Sequence, residues 1–192
     1  MYKNEGDVME KYINTPLTEV TAKSLRAGDY VYITGLIYSA RDAAHKRIYE
    51  SVIDGKEIPF PIKDSIVYYL GPTPEKESQV IGSAGPTTSS RMDKYTPMLL
   101  QKGMKGMIGK GKRSSEVIEA IKKENGVYFA AVGGAGALLS KKIKSSKIIA
   151  YEDLGTEAIR ELYVENFPVI VVIDTEGNNL YDTAIAEYKN KR

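Results

Sequence analysis

Short apolar segments rich in β-branched and aromatic residues alternate with segments of helical periodicity along the 192-residue chain. Residues 28–40, 65–72 and 167–174 are the clearest apolar segments. Residues 114–126 form the clearest helix, with serines at its start and Asn-Gly at its end. This alternation is typical of α/β domains. We therefore predict an α/β fold with a mixed sheet, whose strand order cannot be read from the sequence.

Capping residues predict where two further helices begin. Ser39 and Asp42 fit a capping box for a helix over residues 39–52, in which apolar residues recur at a spacing of four. Thr96 fits the N-cap of a short helix over residues 96–103, and the proline that follows it suits a first helical turn.

The two ends of the chain carry weaker signals. Residues 167–183 predict a strand, a glycine-containing turn and a return strand. The polar residues 1–12 are expected to form a flexible arm. The length suits one domain, which we place over residues 1–192.

Composition excludes several kinds of site. The chain has no cysteine, so it cannot ligate an iron–sulfur cluster or a zinc ion through thiolates. His45 is the single histidine, which excludes a multi-histidine metal site. The net charge of +2 predicts neither nucleic acid nor membrane as a partner. The N-terminus lacks the apolar stretch of a secretory signal, so a cytoplasmic location is the default expectation.

An unusual run of hydroxyl side chains occurs in "GPTTSSRMDKY", residues 85–95. It follows a long loop over residues 71–86, and long loops in compact domains are often functional. Competition for one helix cap explains one or two of the hydroxyls and not the rest. The run raises the possibility of several hydroxyls directed at one place, beside an arginine: Thr87, Thr88, Ser89, Ser90 and Arg91.

Three cations lie where helix dipoles or glycines make them unusual. Arg41 and Arg91 fall at helix starts, where a positive charge is disfavoured. Lys110 lies between two glycines in "IGKGKRSSEV", so the backbone can approach a ligand closely there. For Lys112 and Arg113 we favour an ordinary surface loop. The three unusual cations and the hydroxyls together predict an anion pocket for a small dicarboxylate.

A phosphate-binding P-loop is the main competing interpretation of the glycine–lysine segment. "GMIGKGK" matches its first part, but Arg113 stands where the motif requires serine or threonine. The motif also needs its strand before the first glycine. We therefore reject nucleotide binding.

Several blocks of the sequence resemble one family. "GPTTSSRMDKY", "KGMIGKGKRS", "GGAGALL" and "YEDLGTEAI" are similar to the β subunit, or C-terminal domain, of class I fumarases and the related tartrate dehydratases. "TGLIYSARDAAHKR" and "FPVIVVIDTEGN" extend the resemblance over most of the chain. These are iron–sulfur-dependent hydro-lyases.

The resemblance implies a swivelling β/β/α domain and reversible hydration of fumarate to malate. It implies that a [4Fe–4S] cluster belongs to a separate α subunit, bound there through cysteines. It also implies that this chain is inactive without that α subunit, and that copies of this chain self-associate. Tartrate dehydration is the alternative reaction.

Site residues follow from the resemblance position by position. Thr87 matches the catalytic threonine that transfers the proton, and Lys110 matches a lysine that stabilises charge nearby. Arg41 and Arg91 match arginines that bind the substrate carboxylates. His45 matches a position in the same helix as Arg41, where we favour a structural hydrogen bond. An acidic cluster is expected to make subunit contacts or to pair with lysine: Glu152, Asp153 and Glu157.

Two other classes of function stay open from the residues alone. A stand-alone anion-binding module fits because the chain shows no obvious general base. A nucleic-acid binder using "KGKR" and the tyrosines is disfavoured by the near-zero net charge.

Overall fold

The computed structural model describes residues 10–75, 77, 79–131 and 136–183. The strands are β1 (Glu10–Asn14), β2 (Tyr30–Ser39), β3 (Ile66–Tyr68), β4 (Gly106–Gly109), β5 (Val127–Ala131), β6 (Ile143–Ala150) and β7 (Ile159–Ile173). The helices are α1 (Glu19–Ser24), α2 (Asp42–Ile53), α3 (Thr96–Gln101), α4 (Ser115–Glu124) and α5 (Gly136–Ser140). Two short 3₁₀ helices are η1 (Ser89–Met92) and η2 (Glu152–Glu157).

The described strands form one mixed sheet in the order β1-β2-β3-β4-β5-β7-β6. Strands β1 to β5 run parallel to one another, whereas β7 runs antiparallel to β5, β6 and β2. The pairing of β7 with both β5 and β2 closes the central strands into a barrel-like ring. The predicted α/β class with a mixed sheet is confirmed.

Alternation along the strands divides the core into two layers. Tyr68 and Phe129 point into the ring and join one apolar cluster, with Phe167 beside Tyr68. Their chain neighbours Tyr69 and Tyr128 point outward into a second cluster with α2, α3 and α4. Successive side chains of a strand face opposite sides of the sheet. Tyr68 and Tyr69 therefore belong to different layers, as do Tyr128 and Phe129.

The helix predicted over residues 39–52 is present as α2, but its predicted capping box is wrong. Ser39 is the last residue of β2, and its hydroxyl accepts the backbone N–H of Arg160 at 3.3 Å. Arg41 occupies the N-cap position without a side-chain cap bond. Instead, Glu157 accepts the backbone N–H of Ala43 at 2.8 Å. A residue from η2 therefore caps α2.

Three other local expectations need correction. Tyr95, not Thr96, is the N-cap of α3, because the Thr96 hydroxyl donates to the carbonyl of Met92. The return strand after β7 is reduced to a single bridge between Ile173 and Asn179. Strand β7 also begins well before the apolar segment that indicated it, because its first half alternates polar and apolar residues.

The flexible arm expected over residues 1–12 is wrong for its last three residues. Residues 10–12 belong to β1, which pairs with β2 from Glu10↔Tyr30 to Asn14↔Thr34. Residues 1–9 lie outside the described part of the chain, as do residues 132–135 of the "GGAGALL" block. A single domain over residues 1–192 stays a prediction. No helix in the described ranges is long and apolar enough to cross a membrane.

The contribution of local capping to stability can be tested at helix α4. Ser114 is its N-cap and accepts the backbone N–H of Val117 at 3.4 Å. We expect Ser114→Ala to lower the free energy of unfolding by roughly 0.5–1 kcal/mol, since the bond is long for a cap. Ser115→Ala is the matched control and should change it little, because Ser115 is exposed and lies inside the helix. Urea unfolding measures both, and equal effects would contradict the capping assignment.

Candidate functional site

The candidate site lies at the carboxyl ends of the parallel strands. Arg41 follows the end of β2, Tyr69 follows β3 and Lys110 follows β4. Parallel strands in register bring these ends to one edge of the sheet, where ligands bind in many α/β proteins. The fold therefore collects residues that are distant in sequence.

Backbone hydrogen bonds place the hydroxyl run along this edge. The N–H of Thr87 donates to the carbonyl of Tyr69 at 2.7 Å, and the N–H of Ser89 donates to the carbonyl of Lys110 at 2.9 Å. Thr88 and Lys110 pair as a parallel bridge. The segment that carries Thr87 thus extends the sheet between the ends of β3 and β4.

The four hydroxyls do not share one direction, contrary to the sequence interpretation. Ser89 is fully buried, whereas Thr88 and Ser90 are exposed and Thr87 is half-buried. Ser89 accepts the N–H of Lys110 at 3.0 Å and lies 2.9 Å from the hydroxyl of Tyr128. A Cβ on Gly109 would collide with the Ser89 hydroxyl, so glycine is required there. Ser89 thus holds the site together instead of facing a ligand.

Tyr128 completes this buried network. Its hydroxyl donates to the carbonyl of Gly111 at 2.8 Å. Because the Tyr128 hydroxyl donates there, the Ser89 hydroxyl must donate to Tyr128 in turn. Burial raises the pKa of Tyr128, which keeps the phenol protonated and the chain of donors intact. The backbone around Lys110 is therefore fixed from both sides.

Thr87 and Lys110 present their reactive groups without internal partners. No hydrogen bond within the described ranges uses the Thr87 hydroxyl or the Lys110 ammonium, and Lys110 is exposed. Their backbones are fixed while their functional groups are available. This is the arrangement expected of groups that contact a ligand.

The two predicted arginines approach one carboxylate. Arg41 Nη2 lies 3.6 Å from Oδ2 of Asp42, and Arg91 Nη1 lies 3.8 Å from the same oxygen. Glu157 Oε1 lies 3.5 Å from Arg41 Nη2. A Cβ on Gly71 would collide with the Arg41 side chain, so the loop after β3 must pass close to it. The structure therefore brings Arg41 and Arg91 together.

Arg113 was assigned to a surface loop from the sequence, and this is wrong. Its guanidinium is buried, donates from Nε to Asp93 at 2.7 Å and from Nη2 to the Thr96 hydroxyl at 2.7 Å, and packs against the rings of Tyr69 and Tyr128. The other oxygen of Asp93 accepts the N–H of Ser114 at 2.7 Å. Lys112 is exposed, as expected.

The Asp93–Arg113 pair was not identified from the sequence. It joins the segment after the hydroxyl run to the start of α4, and so fixes the spacing between Arg91 and Lys110. The one local signal was an aspartate in "RMDKY" followed by an arginine just before a helix N-cap. Nothing in the sequence shows that the two side chains meet.

Asp93→Ala should lower the free energy of unfolding by about 3–5 kcal/mol, because it leaves a buried guanidinium without its counter-ion. Asp153→Ala is the matched control. Asp153, like Asp93, pairs with an arginine. Its two oxygens accept from Arg47 at 2.7 and 2.8 Å, but the Asp153 side chain is exposed. Water screens that pair, so the control should lose far less stability in urea unfolding. Equal losses of stability in the two variants would contradict the structural role of the Asp93–Arg113 pair.

His45 is structural in this geometry. It is fully buried, and Nδ1 donates to the carbonyl of Arg41 at 2.9 Å, which fixes its tautomer. Its ring packs edge-on against Tyr69 and lies near Tyr95. Burial, together with the smaller effect of the Arg113 charge, lowers the pKa of His45 to about 4 against the opposing effects of the Arg41 carbonyl and Asp42.

Stability should therefore fall with acid before the carboxylates titrate. The folded-state pKa of about 4 lies below the ordinary histidine pKa of 6.5, so protonation favours unfolding. The contribution of neutral His45 to the free energy of unfolding is complete above pH 6.5. It is lost as pH falls towards 4, at up to about 1.4 kcal/mol per pH unit. Urea unfolding between pH 7 and pH 5 measures this slope. The ring signals of the single histidine report the native pKa, and a native midpoint near 6.5 would contradict the assignment.

Two residues of the acidic cluster pair with arginines instead of the expected lysine, and a subunit contact of the cluster stays a prediction. Asp153 binds Arg47, and Arg47 also lies over the ring of Tyr151. Arg47 holds the pKa of Asp153 below its usual range. Glu157 faces Arg41, so η2 supplies counter-ions to two arginines, one at the N-cap of α2 and one within the helix. Glu152 is exposed.

The residues present do not fit an iron–sulfur cluster. The chain has no cysteine, and the described residues contain no group of three or more histidine or acidic side chains that could hold a metal ion.

The sheet edge that carries the candidate site is open. A cavity of about 630 Å³ lies elsewhere, between the loop around Gly82 and the segment from α5 to β6, and Arg41, Thr87, Arg91 and Lys110 do not line it.

Comparison with known proteins identifies the family. The family model described as "Fumarase C-terminus" matches residues 2–184. The chain belongs to this family. This agrees with an α/β domain whose candidate site gathers cations and a threonine at one sheet edge.

Three relatives show how the domain is used. The aerobic class I fumarate hydratase of Escherichia coli is 37% identical over 181 residues, covering 92% of this chain and 33% of that protein. Fumarate hydratase 2 of Leishmania major is 38% identical over 161 residues, covering 83% and 28%. A Methanocaldococcus jannaschii protein named "Putative L(+)-tartrate dehydratase subunit beta" is 38% identical over 178 residues, covering 90% and 91%. The chain thus spans about a third of the fumarate hydratases it matches.

Proposed function

We propose that this chain is the β subunit of a hydro-lyase that adds water reversibly to fumarate to form malate. The observation that carries the proposal is the open sheet edge. Within the described part of the chain, the Thr87 hydroxyl and the Lys110 ammonium make no hydrogen bond there, and Arg41 and Arg91 lie beside one carboxylate. Membership of the fumarase C-terminal family supports it. Relatives named fumarate hydratase contain this domain as part of a longer protein.

The arginines bind the substrate carboxylates. A guanidinium offers paired N–H donors that match a carboxylate, and Arg41 and Arg91 are close enough to serve one dicarboxylate. Lys110 adds a third cation, held in place by the buried network through Ser89. Three cations offset the two negative charges of fumarate and the charge that develops during reaction.

Thr87 transfers the proton. In the dehydration direction, a proton leaves the carbon next to a carboxylate and passes to Thr87 Oγ1, whose own hydroxyl proton has passed to an activating base. The electron pair left behind spreads into that carboxylate and then forms the double bond as the hydroxyl on the neighbouring carbon leaves and is protonated to water. Arg41, Arg91 and Lys110 stabilise the charge that spreads into the carboxylate. A threonine hydroxyl is a weak base, so a neighbouring base must activate it. We assign that base to the partner.

A separate α subunit supplies the cluster in this proposal. The family resemblance implies a [4Fe–4S] cluster, and the donor set of this chain does not fit one. When bound, the cluster would supply Lewis-acid chemistry to the substrate hydroxyl. The match to a protein of nearly equal length that is named a β subunit supports a two-chain arrangement. A cytoplasmic location, and inactivity of this chain until it is assembled, are further parts of the proposal. Self-association of this chain is a further part of the proposal.

Tartrate dehydration is the second candidate function. The relative whose length matches this chain is the one named for tartrate dehydratase, and the chain covers 91% of it. Tartrate carries two carboxylates, as fumarate does, so the same arginines could bind it. Offering both substrates to the assembled enzyme decides between them.

Thr87→Ala should lower kcat by about 10²–10⁴-fold in the assembled enzyme and leave KM nearly unchanged, because the hydroxyl moves a proton and the cations bind the substrate. Thr88→Ala is the matched control. Thr88 is the next residue, is exposed, and should keep nearly full activity. An anaerobic hydratase assay with a cluster-loaded α subunit measures both.

Three results would overturn parts of the proposal. Full activity of Thr87→Ala would remove the proton-transfer assignment while keeping the family. Turnover by this chain alone would disprove the need for a partner. Tight dicarboxylate binding without turnover in any mixture would favour a non-catalytic anion-binding module.

A further inference from the structure

Asp42 occupies an unusual position between the two candidate substrate-binding arginines. Its Oδ2 is buried and lies within 4 Å of a guanidinium nitrogen of both Arg41 and Arg91. Yet this oxygen accepts no hydrogen bond within the described part of the chain. A buried carboxylate oxygen near two cations is expected to accept short bonds of about 2.7–2.9 Å. The contacts of Asp42 are electrostatic and loose.

The two arginines differ in how firmly they are held. Arg41 is about four-fifths buried, contacts Glu157 on its other side, and packs against Gly71. Arg91 has 57% of its side chain exposed, and Asp42 is its ion-pair partner at 3.8 Å. Arg91 can therefore move without disturbing the core, whereas Arg41 cannot.

We propose that Asp42 is an internal counter-ion that holds the place of a substrate carboxylate between Arg41 and Arg91, and that a dicarboxylate displaces it from Arg91. The proposal rests on the proposed function, because it identifies Arg91 and Arg41 as the carboxylate-binding pair. It assigns to Asp42 a role in substrate affinity. Asp42 thus positions the two arginines when the site is empty and competes with the substrate for Arg91.

The exchange has a physical basis. Without Asp42, two neighbouring guanidinium groups would repel one another at an open sheet edge. A substrate carboxylate can make the short paired bonds that Asp42 does not make, so it replaces the loose contact with a stronger one. The competition lowers the affinity for substrate and product alike, which favours release of product after each turnover.

The test uses succinate, a saturated dicarboxylate that cannot be hydrated, and measures its dissociation constant from the full chain by ligand-observed NMR. Asp42→Asn should bind succinate about ten-fold more tightly, as expected for removal of one competing charge at a partly exposed site. Asp42→Ser is a second neutral variant and should behave alike. Asp42→Glu keeps the competing charge and should bind like wild type.

Two controls separate this effect from a general change in charge. Asp153→Asn removes the same charge from a carboxylate that pairs with Arg47, and should leave succinate affinity unchanged. The double variant Asp42→Asn with Arg91→Ala should lose the gain, because Arg91 is the freed partner. Salt should weaken succinate binding to Asp42→Asn more steeply than to wild type.

The readout needs no turnover, so it can be separated from the proposed function. Unchanged or weaker binding by the folded neutral variants would overturn the counter-ion assignment and leave the hydratase proposal to the Thr87 assay. A gain that persists without Arg91 would also overturn it. Absence of succinate binding by every variant would overturn both the counter-ion and the carboxylate-binding roles of the arginines.

Discussion

Strand β7 pairs with both β2 and β5, and the rest of the structure depends on this closure. From Tyr30↔Ile170 to Ser39↔Arg160, β7 runs antiparallel to β2 and seals the ring. The ring holds the parallel strands side by side, so their carboxyl ends meet at one edge. The same closure carries η2, just before β7, over the start of α2, where Glu157 caps the helix and faces Arg41.

Charges in this protein divide by burial into two groups with different effects. The Asp93–Arg113 pair is buried and fully hydrogen-bonded, so it fixes the chain between the hydroxyl run and α4. The ion pairs near the candidate site are longer and partly exposed, which is the property on which the proposed exchange of Asp42 for a substrate carboxylate depends. A buried pair thus lies beside a group of more loosely paired cations.

The sequence singled out candidate site residues, but it did not reveal the contacts that hold them in place. Glycine flanks and helix-start positions marked Arg41, Arg91 and Lys110 as unusual, and the structure places them at one sheet edge. Local patterns could not show that Ser89 turns inward or that Arg113 is buried. Both depend on contacts with Tyr128, a residue distant in sequence whose position is set by strand pairing.

The α/β class, helix α4 and the family can be recognised in the sequence, because they depend on periodicity, local capping and motif spacing. The folded structure was needed to show which strands are neighbours, which residue caps α2, and that Asp42 lies between two arginines. Strand pairing and side-chain contacts join residues that are far apart in the chain. Their energies depend on burial and distance, which no short stretch of sequence specifies.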